Sequence, residues 1–144
     1  MVLRRLVVSA LVLVAGPYLA PAAVADSAPV VTGASGTGDR LTITVTDTPG
    51  GAGVYTLECH PAAGGHPAPR QACERLDSVT MWGREPFAPV PNGAMCTMIH
   101  GGPATAHITG VWAGRPVDAA FDRTDGCEIA RWDDLVPVLP RVGG

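Results

Sequence analysis

The sequence predicts a small α+β domain: an antiparallel sheet with two short helices packed on it, closed by two disulfides. Three observations lead there. Several short runs alternate apolar with polar residues, the period of half-buried strands. Two further stretches, placed between or after those runs, repeat apolar residues at helical spacing. Four cysteines, Cys59, Cys73, Cys96 and Cys127, make an even set, and a length of 144 residues suits one compact domain.

At the start, Arg4 and Arg5 precede an apolar run from Leu6 to Ala15, and Ala23-Val24-Ala25 follows. A basic start, a short apolar core and a small-residue cleavage site predict a secretory signal peptide over residues 1–25. The run falls short of the roughly 20 apolar residues that cross a bilayer, so no membrane association is expected after cleavage. An extracellular location in turn favours oxidised cysteines. Residues 26–40, rich in Pro, Gly, Ser and Thr, are expected to form a flexible arm, and 41–144 a single domain.

Within that domain, Leu41 to Thr46 alternates apolar residues with Thr, and Asp47-Thr48-Pro49-Gly50-Gly51 turns the chain. Val54 to Cys59 returns as a second strand with Tyr55, Leu57 and Cys59 on one face, giving a hairpin. His60 to Pro69, stiffened by Pro61, Pro67 and Pro69, is a rigid loop. It leads into a helix over Gln71 to Val79, where Ala72, Leu76 and Val79 share a side and Gly83 supplies the stop. Glu85 to Gly93 carries Pro86, Pro89 and Pro91, which lack a ladder donor, so an exposed, extended and stiff segment is expected. Ala104 to Trp112 alternates again, with Ala106, Ile108 and Trp112 on one face. Ala113-Gly114-Arg115-Pro116 turns it into Val117 to Phe121, a second hairpin. Asp125, three residues before Glu128, gives a capping-box-like start to a helix over Glu128 to Leu135, with Ile129, Trp132 and Val136 along one side. The tally is four or five strands and two helices.

Charge and reactive groups exclude several functions. All ten basic residues are Arg, against 13 acidic ones, for a net charge of -3, and no polybasic face for nucleic acid or anionic lipid can be assembled. After the signal peptide the serines are Ser27, Ser35 and Ser78, none in a G-x-S-x-G turn, so no enzymatic nucleophile is expected. Asp133 and Asp134 are adjacent on a helix, do not face each other, and read as solvated or capping charges. His66 reads as a loop imidazole bonded to backbone, and His107 points to solvent from its strand. His60 has no convergent partner that the sequence identifies. No C-x-x-C or H-x-x-x-H spacing occurs, so neither a metal nor another cofactor is expected. Four cysteines allow three pairings; the sequential one, Cys59 with Cys73 and Cys96 with Cys127, encloses the shortest loops and is preferred.

The run Cys59-His60-Pro61-Ala62-Ala63-Gly64-Gly65-His66-Pro67, followed by Ala72-Cys73-Glu74-Arg75-Leu76, resembles the Streptomyces subtilisin inhibitor family. The likeness continues through Pro86-Phe87-Ala88-Pro89-Val90-Pro91, Met95-Cys96-Thr97-Met98, Gly101-Gly102-Pro103, Gly110-Val111-Trp112 and Gly114-Arg115-Pro116-Val117. It ends at Gly126-Cys127-Glu128-Ile129-Ala130-Arg131-Trp132. Glu74 departs from the family's commoner Ala, Thr or Asp, at a surface position on a helix. The resemblance implies a secreted protein inhibitor of subtilisin-like serine proteases, a five-stranded antiparallel sheet with two helices, a homodimer, and the disulfide pairing already preferred. It maps the reactive bond to Met98-Ile99 and the protease-binding segment to Met95, Cys96, Thr97, Met98, Ile99 and His100. The residues themselves agree with that assignment. Proline upstream and Gly101-Gly102-Pro103 downstream leave a projecting loop, and the uncharged thioether of Met98 suits the broad apolar pocket of subtilisin-like or chymotrypsin-like enzymes. Met95 is placed to fill a second apolar pocket. A secreted binding or structural module that keeps the scaffold without inhibiting is the competing reading.

Overall fold

Alternation of Leu41, Ile43 and Val45 with Thr42, Thr44 and Thr46 gives a strand one apolar face, and that face needs a cover. The computed structural model describes residues 38–80 and 84–143, with Gly16 besides. The expected signal segment (Gly16 apart), the arm up to residue 37, and Gly83 as a helix stop lie outside the described residues. Strands β1 (Arg40–Thr46), β2 (Gly53–Glu58), β3 (Thr105–Trp112) and β4 (Arg115–Phe121) form one antiparallel sheet in the order β2-β1-β3-β4. Helix α1 (Pro69–Val79) packs on β2, and helix α2 (Gly126–Asp133) packs on β4. The fifth strand implied by the resemblance is not among the described residues; four strands are. β1 begins at Arg40, so the sheet starts inside the segment 26–40 expected to be an arm.

Register fixes which face is buried. Ile43 lies opposite Tyr55 on one side and Ile108 on the other, and Ile108 lies opposite Ala119, one apolar row across the sheet. A slip of one residue would turn every such row to solvent. Leu41, Ile43, Val45, Leu57, Ile108 and Phe121 are all fully buried, each contributing about 1.5 to 3 kcal/mol of transfer free energy. Pro116 is tolerated because β4 lies at the sheet edge. The β3-β4 turn puts Ala113 and Gly114 both at positive φ, 49° and 73°, the pattern of a type I′ hairpin. The Ala113 N–H donates to Asp39 Oδ1 at 2.6 Å, which helps hold a conformation that alanine disfavours.

Both helices start two residues before the sequence expectation; α1 begins at Pro69 rather than Gln71, since proline's fixed φ suits a first helical turn, and ends at Val79 as expected. Thr80 ends α1: its N–H and its hydroxyl both donate to the Leu76 carbonyl, at 2.9 and 2.7 Å, and its hydroxyl oxygen accepts the Trp112 indole N–H at 2.8 Å. Helix α2 starts at Gly126 rather than Glu128, because the Asp125 carboxylate accepts the N–H groups of Cys127 and Glu128, at 2.8 and 3.0 Å. Glu128 turns to Arg131, 3.0 Å away, so the start is a single cap and not the reciprocal box. Trp132 is fully buried, its indole N–H donating to the Pro140 carbonyl at 2.9 Å, and Leu135, Val138 and Leu139 close the core after the helix. The segment Glu85 to Gly93 is not extended throughout. Turns close from Ala88 N–H to the Glu85 carbonyl and from Ala94 N–H to the Pro91 carbonyl, and Arg131 donates to the carbonyls of Phe87 and Ala88. Proline's fixed φ serves a turn as well as an extended chain, and a cation from α2 selects the turn.

Candidate functional site

After the turn that ends at Ala94, the chain runs through residue 102 without helix, strand, turn or bend. Along it Met95 is 98% exposed, Met98 96% and Ile99 62%. Three large apolar side chains in water on one short loop oppose the hydrophobic effect, and such patches mark surfaces meant for a partner. Thr97 and His100 are exposed beside them, and Cys96 is half-buried. The six residues singled out by sequence, Met95 to His100, therefore sit together in one projecting segment.

Two anchors hold the loop to the body. On the N-terminal side the Cys96–Cys127 disulfide ties it to the first turn of α2, and the Gly126 N–H donates to the Thr97 carbonyl at 2.9 Å. Thr97 lies so close to Gly126 that a side chain at 126 would collide with its hydroxyl, so the helix must begin with glycine there. On the C-terminal side the Gly101 N–H donates to the Arg123 carbonyl at 2.8 Å, and the Arg123 Nε donates back to the Gly101 carbonyl at 3.0 Å. A Cβ on Gly101 would stand 2.8 Å from Ile129 Cγ1 and 3.0 Å from Arg123 Nε, so α2 and Arg123 close on bare backbone. Between the anchors, Met98, Ile99 and His100 make no hydrogen bond to the rest of the described residues.

The disulfides follow the sequential pairing, Cys59–Cys73 and Cys96–Cys127. Cys96, Asp125 and Cys127 bring three potential metal donors together, yet both sulfurs are bonded to each other and have no lone thiolate to offer. His66 is the expected backbone-bonded imidazole. It is buried, its Nε2 donating to the Val138 carbonyl and its Nδ1 accepting the Ala68 N–H, both at 3.0 Å. His107 is exposed and pairs with Asp118 at 2.6 Å. His60 does have convergent partners: Nδ1 lies 2.9 Å from Asp39 and Nε2 lies 3.2 Å from Asp77. Hydrogen bonds to Asp77 and then Asp39 raise its pKa above the ordinary 6.5. These partners come from another loop and from α1, so no local pattern announced them. Asp134 ends α2 through its backbone N–H, which donates to the Ala130 carbonyl, and its exposed carboxylate lies 3.6 Å from Arg75 rather than capping the helix, whereas Asp133 pairs with the buried Arg123 at 2.8 Å and is more than a solvated charge. Sequence reasoning missed Arg123 and Gly126 in the loop's support. Gly126 had a signal, its adjacency to Cys127, while Arg123 had none.

Against known proteins, the family model described as subtilisin inhibitor-like matches residues 30–124, which contain the whole exposed loop. The chain belongs to the subtilisin inhibitor-like family. It is thus a protease inhibitor and not an enzyme. Subtilisin inhibitor-like protein 1 of Streptomyces cacaoi is 37% identical over 81 residues, covering 53% of this chain and 69% of that protein. The crystal structure of Streptomyces caespitosus sermetstatin in complex with Bacillus licheniformis subtilisin contains a similar chain, 27% identical. That match covers 69% of this inhibitor and 98% of the other chain, with a TM-score of 0.43.

Proposed function

We propose that this inhibitor is secreted and blocks subtilisin-like serine endopeptidases by presenting residues 95–100 as a substrate-like strand, with Met98-Ile99 as the reactive bond. The observation that carries the reading is the pair of almost fully exposed thioethers, Met95 and Met98, on a loop tied down at both ends. An extended segment can pair with the enzyme's cleft through its backbone while alternate side chains enter pockets. The anchors order it before docking, which spares roughly 0.5 to 1.5 kcal/mol per side chain otherwise immobilised on binding.

Slow turnover has the same origin. The enzyme's serine oxygen adds to the Met98 carbonyl carbon, the bond to the Ile99 nitrogen breaks, and that nitrogen leaves with the proton lost by the serine. The scaffold keeps the new amine beside the acyl-enzyme, so it attacks the ester, returns the proton to the serine oxygen and reseals the bond faster than water does. Chymotrypsin-like enzymes, with a broad apolar pocket, are the secondary targets; the trypsin pocket, with its unpaired aspartate, is disfavoured. The signal peptide over residues 1–25 directs export, and the protein works as a homodimer, which analytical ultracentrifugation tests directly. Titrating purified protein against subtilisin with a chromogenic substrate tests the central claim. Stoichiometric loss of activity is expected, and full activity at micromolar excess would instead favour a non-inhibitory module on the same scaffold.

A further inference from the structure

The two anchors of the loop are unequal in kind, and the inequality matters once the Met98-Ile99 bond is cut. The acyl side then ends at Met98 and remains covalently tied to α2 through Cys96–Cys127, two residues away. The amine side begins at Ile99 and has no such tie. Its first attachment to the body is Gly101, whose N–H and carbonyl are both taken by Arg123, at 2.8 and 3.0 Å. Arg123 is itself only 4% exposed, and its NH1 donates to Asp133 at 2.8 Å while its guanidinium lies 5.9 Å from the centre of the Trp132 ring. A buried guanidinium loses strong hydration and needs partners that hold it in place. Here those partners fix Nε toward the Gly101 carbonyl.

Resting on the reading that Met98-Ile99 is the reactive bond, we infer that Arg123 is the positioning residue for the leaving amine. It clasps Gly101 so that Ile99, two residues before it, stays within reach of the acyl-enzyme. The disulfide performs this task for the acyl half; Arg123 performs it for the amine half, without a covalent bond. Lysine cannot replace it, because one ammonium has neither the fork nor the separate Nε–H to serve Gly101 and Asp133 together. Gly101 is the matching half of the device, since any side chain there would push the backbone off Ile129 and Arg123 Nε.

The test uses the full disulfide-bonded protein and a catalytic amount of subtilisin. Clipping is followed by mass and by the appearance of an Ile99 N-terminus, and resealing is followed from the clipped form. Arg123→Met is expected to accumulate clipped protein about tenfold faster than the parent and to reseal correspondingly more slowly. Arg123→Lys, which keeps a cation beside Asp133, is expected to fall between them and guards against a misfolded Met variant. Val45→Ala, a core substitution on β1 far from the loop in sequence, supplies the effect of lower stability alone. If wild-type protein neither inhibits nor is cut at Met98-Ile99, the reading of the reactive bond fails. If wild-type protein behaves as an inhibitor while both Arg123 variants clip and reseal like Val45→Ala, the clasp is refuted and the reactive bond stands.

Discussion

Two proline- and glycine-containing loops in this protein are each closed by a disulfide, and they do opposite things. The loop after Cys59 folds inward. Glu58 and Ala63 exchange backbone hydrogen bonds, the His66 N–H donates to the Thr56 carbonyl at 3.0 Å, and the His66 ring enters the core to meet Val138. The loop around Cys96 projects outward, anchored at Thr97 and Gly101 and bare between them. A disulfide therefore does not by itself make a loop either structural or functional. What differs is where the backbone's remaining hydrogen bonds are spent: along the first loop, but only at the ends of the second. Amides bonded within the fold stabilise it, and those left bare between two anchors remain free to pair with a partner's backbone.

Breaking each disulfide should break the comparison in opposite ways. Replacing Cys96 and Cys127 together by Ala is expected to weaken subtilisin inhibition by about a hundredfold or more and to make the protein an ordinary substrate. Unchanged inhibition in a steady-state assay would remove the rigidity argument. Replacing Cys59 and Cys73 by Ala should instead cost about 2 to 5 kcal/mol of stability in urea denaturation, while the folded fraction still inhibits. Next in size, Met98→Lys is expected to gain about a hundredfold against trypsin by pairing its pocket aspartate, with a smaller loss against subtilisin. Its melting temperature should stay that of the parent, because the side chain is in water. The inward loop should show the converse: His66→Ala leaves the Val138 carbonyl and the Ala68 N–H unpaired, at a cost of about 1 to 3 kcal/mol in denaturant melts and none in inhibition.

The smallest effect concerns His60, at the edge of the inward loop. Asp77 and Asp39 raise its folded pKa above 6.5, so its charge stabilises the fold fully below the unfolded pKa, and that contribution is lost as pH rises through the folded value. Thermal melts on either side of neutrality should show stability falling with rising pH in this window, and His60→Gln should flatten that fall. An unchanged slope in the variant would assign the pH dependence to other groups.

Several features were legible because their cause is local. Thr-interleaved Leu41, Ile43 and Val45 read as a strand with one buried face and formed one. The Pro and Gly flanks of Met95 to His100 read as a projecting loop, and all of its residues except the half-buried Cys96 are exposed. The turns within Glu85 to Gly93 are not legible in the sequence, because proline permits both extended chain and turns and the choice falls to Arg131, which lies outside the segment. Helix α2 starts two residues before the expected Glu128 because the Asp125 carboxylate reaches the backbone directly and needs no return bond from Glu128.

By itself the sequence marked four strand runs, a preferred disulfide pairing and a projecting loop between Pro and Gly flanks. These follow from periodicity, backbone restriction and short loop closure, all set by neighbours along the chain. Only the tertiary structure decided that His60 lies between Asp39 and Asp77, that the sheet order is β2-β1-β3-β4, and that Arg123 grips Gly101. Each of those depends on elements distant in sequence being packed together. A buried guanidinium has no preference for one carbonyl over another until the core has fixed which carbonyl lies within its reach.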